Sequence, residues 1–250
     1  MPRFHVKPEA VQADRVLFDV EETRHLARVL RLAPGDVVQV VDGQGTEFMV
    51  RLESVEARSA TGTILARSSS HTESPLAITL AQGVPKGDKM EWVVRTVTEL
   101  GVARVVPLLT ERTIVRLEPG RWRDRVRRWQ RVAKEASKQC GRAVIPAVEV
   151  PRSIQEFAQA QWSADLALCL WEGAPRGLSE VLENTPARVA SAVLVVGPEG
   201  GLARREVEAL ETRGFKIAGL GPRILRTETA GPVAVSLLQA RFGNLGGPRL

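Results

Sequence analysis

LVVGPEGGLARREVEAL, residues 194–210, carries an apolar strand straight into a glycine–proline cluster and out into an amphipathic helix. Strand, glycine turn and helix is the layout with which backbone N–H groups cradle a nucleotide phosphate. Yet the chain contains no Gly-x-x-x-x-Gly-Lys-Ser/Thr and no Gly-x-Gly-x-x-Gly, so the kinase, ATPase and dinucleotide fingerprints are absent. Glu199 also stands where a phosphate would sit, and its carboxylate would repel one. An uncharged or positive ligand suits such a loop: an adenosine or sulfonium group fits, and a triphosphate does not. Taken alone, GPEGG also reads as a tight strand-to-helix turn with Glu199 answering the helix dipole.

A second loop of the same kind, LGPRILRTETAGP (220–232), moves the reading from a turn to a site. Ligands of open α/β sheets bind outside the carboxyl ends of the strands. Glycine there lets a ligand approach the backbone, and Pro198 and Pro222 stiffen the two loops. Arg223, Arg226, Thr227, Glu228 and Thr229 add cations, a carboxylate and hydroxyls. Two of them have structural readings as well: Thr229 can cap the following helix, and Glu228 can pair with Arg226 at the surface.

Outward from these loops, residues 75–250 alternate apolar strands and helices. Strands are expected at 76–84, 102–109, 165–173, 192–200 and 215–221. Helices are expected at about 90–100, 120–141, 203–210 and 232–242, the last with Pro232 in its first turn. This succession predicts a mostly parallel sheet covered on both faces. Residues 1–70 read instead as a small β-barrel of short strands and tight turns, such as Asp42-Gly43-Gln44-Gly45 between DVVQVV and TEFMVRLESV. It holds one helix, 25–32, with Thr23 as N-cap, Leu26, Val29 and Leu30 on one face and arginines on the other. The serine-rich stretch 67–75 reads as a linker.

Composition narrows the chemistry. Thirty-five Lys+Arg face 29 Asp+Glu, a net charge of +6 with pI near 10.0, and only six of the 35 are lysine. Such a balance favours a polyanion, nucleic acid first, although the arginine excess is equally explained by a GC-rich genome. The three histidines, His5, His25 and His71, all precede the α/β region, which therefore lacks a Ser-His-Asp or Cys-His site. They and the two cysteines, Cys140 and Cys169, give no zinc spacing, so no metal is expected. No apolar run reaches the roughly 20 residues that span a bilayer, and MPRFHVKPEA has no signal core. A cytoplasmic protein with free thiols and no membrane association is expected.

GPEGGL before a helix, LGPRILRTETA, and a last helix ending ARFGNLG closely resemble the RsmE family. These are SPOUT-class methyltransferases of bacterial small-subunit ribosomal RNA that act on uridine N3. RFHV, HLARVLRLAPGD with VVDG, KGDKMEWVVRTVTELGV, PLLTERTIV and RWQRVAKEASKQCGR agree in order. Agreement is poorest over 50–75 and 150–190. The resemblance implies an α/β fold made of a PUA-like RNA-binding β-barrel at 1–70 and a SPOUT methyltransferase domain with a trefoil knot at 75–250. It implies a homodimer acting on 16S ribosomal RNA of the small subunit, with S-adenosylmethionine as cofactor. The cofactor wall would come from Leu170 and Trp171, from Val196, Gly197, Glu199, Gly200 and Gly201, and from Leu220, Gly221, Ile224, Leu225 and Thr229.

Methylation at N3 requires loss of the imide proton, and N3 lies on the pairing edge, so the uridine must be unpaired or flipped out. Arg226 is expected to stabilise the uridine anion, with Glu228 as candidate general base and direct loss of the proton to solvent as the rival. RNA grip is expected from Arg3, Arg24, Arg28 and Arg31 on the barrel, and from Arg112 and Arg223 near the loops. The arginine-rich helix 121–140 faces either RNA or water, while its Trp122/Trp129 stripe reads as core or dimer contact. Two rivals remain: a knotted transfer-RNA ribose 2′-O-methyltransferase, disfavoured by TAGPVAVSLLQ where those enzymes carry an Asn-rich segment, and a non-catalytic RNA-binding assembly factor.

Overall fold

The computed structural model describes residues 1–247; the last three positions of the expected 75–250 domain lie outside the described residues. The chain divides into two units, Met1–Glu73 with Ser137–Ile145, and Ser74–Ala136 with Pro146–Leu250.

The first unit contains β1 (Arg3–His5), β2 (Val11–Gln12), β3 (Arg15–Phe18), α1 (Val20–Arg24), β4 (Val37–Val41), β5 (Thr46–Val55) and β6 (Ala60–Ser69). Its six strands follow the order β1-β4-β5-β6-β3-β2, antiparallel except for the parallel pair β1 and β4. Along β5, Phe48, Val50 and Leu52 alternate inward with exposed neighbours, and they join Phe4, Phe18, Leu26, Val38 and Val40 in one core. The β4–β5 turn forms as its residues predict. Gly43 and Gly45 take positive φ, and the Asp42 carboxylate accepts from the Gln44 and Thr46 N–H groups at 2.8 and 3.0 Å.

The expected helix 25–32 needs correction. Helix α1 begins at Val20, with Asp19 rather than Thr23 as its cap, accepting from Glu22 N–H at 2.8 Å. Thr23 is buried one turn further in. The helix then continues as a π-helical turn, His25–Val29. The extra residue in that turn rotates the apolar stripe, so Leu26 is buried while Val29 and Leu30 are exposed. The expected linker also starts too early: β6 stays paired to β5 through Ser69.

The second unit contains β7 (Ala77–Gly83), α2 (Lys89–Glu99), β8 (Arg104–Leu109), α3 (Pro119–Cys140), β9 (Ala147–Val148), β10 (Arg152–Ser153), α4 (Ile154–Gln159), β11 (Leu166–Leu170), α5 (Leu178–Glu183), β12 (Ser191–Val196), α6 (Arg204–Glu211), β13 (Lys216–Ala218) and α7 (Thr227–Phe242). The last residues of α3, from Ser137, cluster with the first unit. The sheet runs β10-β8-β7-β12-β11-β13 with β9 also on β8, and every pairing is parallel. In β12 five consecutive residues, Ala192–Val196, are buried, so both faces are covered, as an all-parallel sheet requires. The Trp122, Trp129, Ala133, Ala136 stripe of α3 is buried as well.

Helix α7 starts at Thr227, five residues before Pro232, and Pro232 lies in its interior. Arg226 is extended and supplies the cap position, which places Thr227, Glu228 and Thr229 in the first turn. Thr229 is therefore a helix residue rather than a cap.

Glu73 closes the first unit. Its carboxylate accepts from Arg142 Nε and Nη2 at 3.1 and 2.7 Å and from the Ala143 and Val144 N–H groups at 3.0 and 3.1 Å. The Arg142 side chain is 6% exposed, so loss of the carboxylate takes a hydrogen-bonded counter-charge away from a buried cation. Glu73→Ala is expected to lower unfolding stability by about 3 kcal/mol, read from urea denaturation followed by far-ultraviolet circular dichroism.

Candidate functional site

Parallel pairing brings the carboxyl ends of four strands to one edge. Gln82 of β7 lies opposite Val196 of β12, and Leu170 of β11 opposite Ala218 of β13. The loops that leave these ends enclose a cleft of about 640 Å³. Leu170 and Trp171 form one wall; Val196, Gly197, Glu199 and Gly201 form the floor loop; Leu220, Gly221, Ile224 and Leu225 form the opposite wall. Arg223, Arg226 and Glu228 line it too. Gly200 and Thr229, expected with them, are not part of the lining.

The two glycine loops are fastened together from beneath. The Thr227 hydroxyl donates to the Gly197 carbonyl at 2.6 Å, and the Gln82 amide donates to Thr227 Oγ1 at 2.9 Å. Gln82 is fully buried and Thr227 nearly so. Packing is equally tight above: a Cβ at Gly83 would lie 2.4 Å from Pro198 N, so only glycine lets the GPEGG loop settle on the end of β7. Gly201 holds φ +70°, the left-handed conformation that closes the turn with its N–H on the Pro198 carbonyl at 2.9 Å.

The electrostatics centre on a residue that the motif reading did not single out. Lys89, the first residue of α2, places Nζ 3.1 Å from Glu199 Oε1 and 3.3 Å from Glu228 Oε2. Glu199 also accepts from the Lys86 N–H at 3.0 Å. The hydrogen bond to Glu199 pushes the Lys89 pKa up; desolvation opposes it, and contacts with Glu228 add to the rise. For Glu199 burial works to raise the carboxyl, but bonds from its own N–H, from Lys86 N–H and from Lys89 outweigh it and hold the group below the usual carboxylate range. The sequence signal was available: Lys86 and Lys89 are two of only six lysines, in the loop after a strand end.

Arg226 is an open cation of the site, as Arg223 is, with its side chain 83% exposed and Nη1 4.0 Å from Glu228 Oε1. Arg112 supports the floor loop, its Nη1 donating to the Gly200 carbonyl at 2.7 Å. Arg24, Arg28 and Arg31 are exposed on the first unit, and Arg31 holds φ +53°. Arg3 is different: its guanidinium is bound to Glu47 and to the Gly141 carbonyl with 13% of the side chain exposed, which leaves it the least available of the expected RNA contacts. Among the described residues no group of three or more His, Cys, Asp or Glu stands close enough to hold a metal ion, and no helix is long and apolar enough to cross a membrane. Cys169 is buried, and desolvation pushes its thiol up to about 12, out of reach of thiolate chemistry.

This combination has counterparts. Residues 72–239 match the RNA methyltransferase domain family and residues 18–65 the RNA methyltransferase PUA domain family, so the fold is that of a PUA-bearing RNA methyltransferase. Ribosomal RNA small subunit methyltransferase E of Bacillus subtilis is 34% identical over 223 residues, 87% of each chain. Its Synechocystis namesake is 35% identical over 95% of this chain and 77% of its own. The Neisseria gonorrhoeae enzyme of that name, solved with S-adenosylmethionine bound, superposes with a TM-score of 0.87 at 33% identity over 98% of this chain and 99% of that one. The chain belongs to the ribosomal RNA small subunit methyltransferase E family.

The residues present fit S-adenosylmethionine. Apolar walls at Leu170, Trp171, Ile224 and Leu225 suit an adenine ring, close-packed glycine backbone suits the ribose and methionine portions, and three carboxylates (Glu172, Glu199 and Glu228) line the cleft of a donor that carries a positive sulfur.

Two outcomes check this geometry. Gly83→Ala, which drives a methyl into Pro198, is expected to weaken S-adenosylmethionine binding at least about tenfold by calorimetry, as overpacking of 1–3 kcal/mol moves the floor loop. For Glu199 the folded pKa is depressed, so its stabilising effect is complete above the ordinary carboxylate range and fades as pH falls through that range. The melting-temperature gap between wild type and Glu199→Gln should therefore be largest near neutrality and close on acidification.

Proposed function

We propose that this protein transfers a methyl group from S-adenosylmethionine to N3 of a uridine in 16S ribosomal RNA during small-subunit maturation. The observation that carries the reading is the cleft at the strand ends, where two glycine loops, an exposed arginine and a pinned carboxylate converge. When bound, the cofactor supplies a methyl on positive sulfur; the electron pair left on N3 forms the new N–C bond and the S–C pair stays with sulfur. Leu170, Trp171, Gly197, Gly201, Leu220 and Leu225 hold it.

The protein's own task is positioning and charge control. Arg226 reaches from the cap of α7 into solvent and meets the negative charge that spreads over O2 and O4 once the imide proton leaves. Glu228 Oε1 accepts that proton, with direct loss to solvent as the competing route. Arg24, Arg28, Arg31 and Arg223 grip phosphates, and Arg112 serves chiefly by holding the floor loop. The protein works in the cytoplasm as a homodimer, its 1–70 region the RNA-binding PUA-like unit and its 75–250 region a methyltransferase domain whose last segments thread a trefoil knot.

Arg226→Ala is expected to slow single-turnover methylation about 100-fold with cofactor affinity intact; a wild-type rate would remove Arg226 from this role. Binding to a 16S-derived RNA should weaken steeply with salt, with a slope reporting several phosphate contacts. Mass mapping of ribosomal RNA from cells lacking the protein should reveal one missing methyluridine, and a full complement of modified bases would defeat the assignment.

A further inference from the structure

Three charged side chains from three separate segments meet in the cleft. Lys89 comes from the start of α2, Glu199 from the loop after β12 and Glu228 from the first turn of α7. The Lys89 ammonium lies 3.1 Å from Glu199 Oε1 and 3.3 Å from Glu228 Oε2. Glu199 is held from a second side by the Lys86 N–H, so that carboxylate is an anchor for the lysine more than a free acceptor. Glu228 is the more buried of the two, its side chain 17% exposed against 29% for Glu199. Its two oxygens face different partners: Oε2 the ammonium, Oε1 the exposed guanidinium of Arg226 at 4.0 Å.

From this division of oxygens we infer that Lys89 is a positioning residue for the methyl transfer, an ammonium strut that braces on Glu199 and occupies Glu228 Oε2 so that Oε1 is presented to the substrate imide. The inference rests on the proposed role of Glu228. A glutamate has three rotatable torsions, and an unbraced carboxylate would sample several rotamers in an open cleft. Bracing fixes one oxygen and leaves the other for the proton. A longer side chain without charge cannot do this, because the grip on two carboxylates at once is electrostatic. Arg226 cannot substitute, since its side chain is mostly in solvent, where such pairs contribute little. The strut also brings a positive charge into a cleft built for a positively charged donor. Removing that charge should therefore leave donor binding unchanged or tighten it, even as the reaction slows. A residue that only held the loops in place would give the opposite pattern.

The test is a double-mutant cycle on the full-length protein, with single-turnover methylation of a 16S-derived RNA and calorimetry of S-adenosylmethionine as its two readouts. Lys89→Met should lower the rate on the order of 100-fold, the scale of a misplaced catalytic group, with cofactor affinity equal to or above wild type. Lys89→Arg should recover most of that loss. In the Glu228→Gln background Lys89→Met should cost nothing further, because the strut acts through the carboxylate that is already gone. The same factor lost in both backgrounds, or cofactor binding that weakens in step with the rate, overturns the strut while leaving the methyltransferase reading standing. A wild-type rate for Glu228→Gln overturns it by removing the group it positions. Should Lys89→Met not fold, Lys89→Gln, which keeps a hydrogen bond and loses the charge, is read by the same criteria.

Discussion

A single buried amide holds the cleft in shape. Gln82 sits at the end of β7 with no exposed surface, and its Nε2 donates to Thr227, whose hydroxyl in turn donates to Gly197. Those three residues belong to three segments that are remote in sequence, and the two that hold Gly197 and Thr227 carry the floor loop and the opposite wall of the site. A buried polar group without a partner costs roughly 1–3 kcal/mol, so the arrangement with Thr227 beneath Gly197 is strongly selected over any displaced one. The strands around it are parallel and buried on both faces, which leaves their carboxyl-end loops as the place where backbone is free to meet a ligand.

The same edge shows how charge is arranged once the backbone is set. Glu228 lies in the first turn of α7, where the helix dipole favours a carboxylate, and Lys89 lies at the start of α2, where the dipole disfavours a cation. Two carboxylates answer that lysine and hold it protonated. Arg226 stands outside this cluster, extended and exposed at the helix cap. The site thus separates an inner cation committed to the protein from an outer one available to a substrate. That separation suits a reaction in which negative charge appears on the base.

The first unit spends its charges differently. Arg142 and Arg3, both mostly buried, are consumed by Glu73 and Glu47. Arg24, Arg28 and Arg31 lie exposed around the π-helical turn, together with the apolar Val29 that this turn rotated out of the core. A net charge of +6 therefore understates the difference between arginines that stabilise the fold and arginines left on the surface.

Much of this was legible in the chain itself. LVV before GPEGG, and DLALCL and LAITLAQG elsewhere, announce buried parallel strands because such strands carry no polar alternation. The glycines and prolines of the two loops mark tight, stiff backbone for reasons local to those residues, and the cleft lies between those loops, with Gly200 and Thr229 outside its lining. Local signals misled where two were in competition: Pro232 suggested a helix start, but the chain had already turned at Arg226, and the π turn moved Val29 and Leu30 outward. What only the tertiary structure decided was adjacency. Lys89 and Glu199 are 110 residues apart, and no propensity or motif couples them. Their meeting, like that of Gln82 with Thr227, follows from strand order and register, which depend on every pairing in the sheet at once.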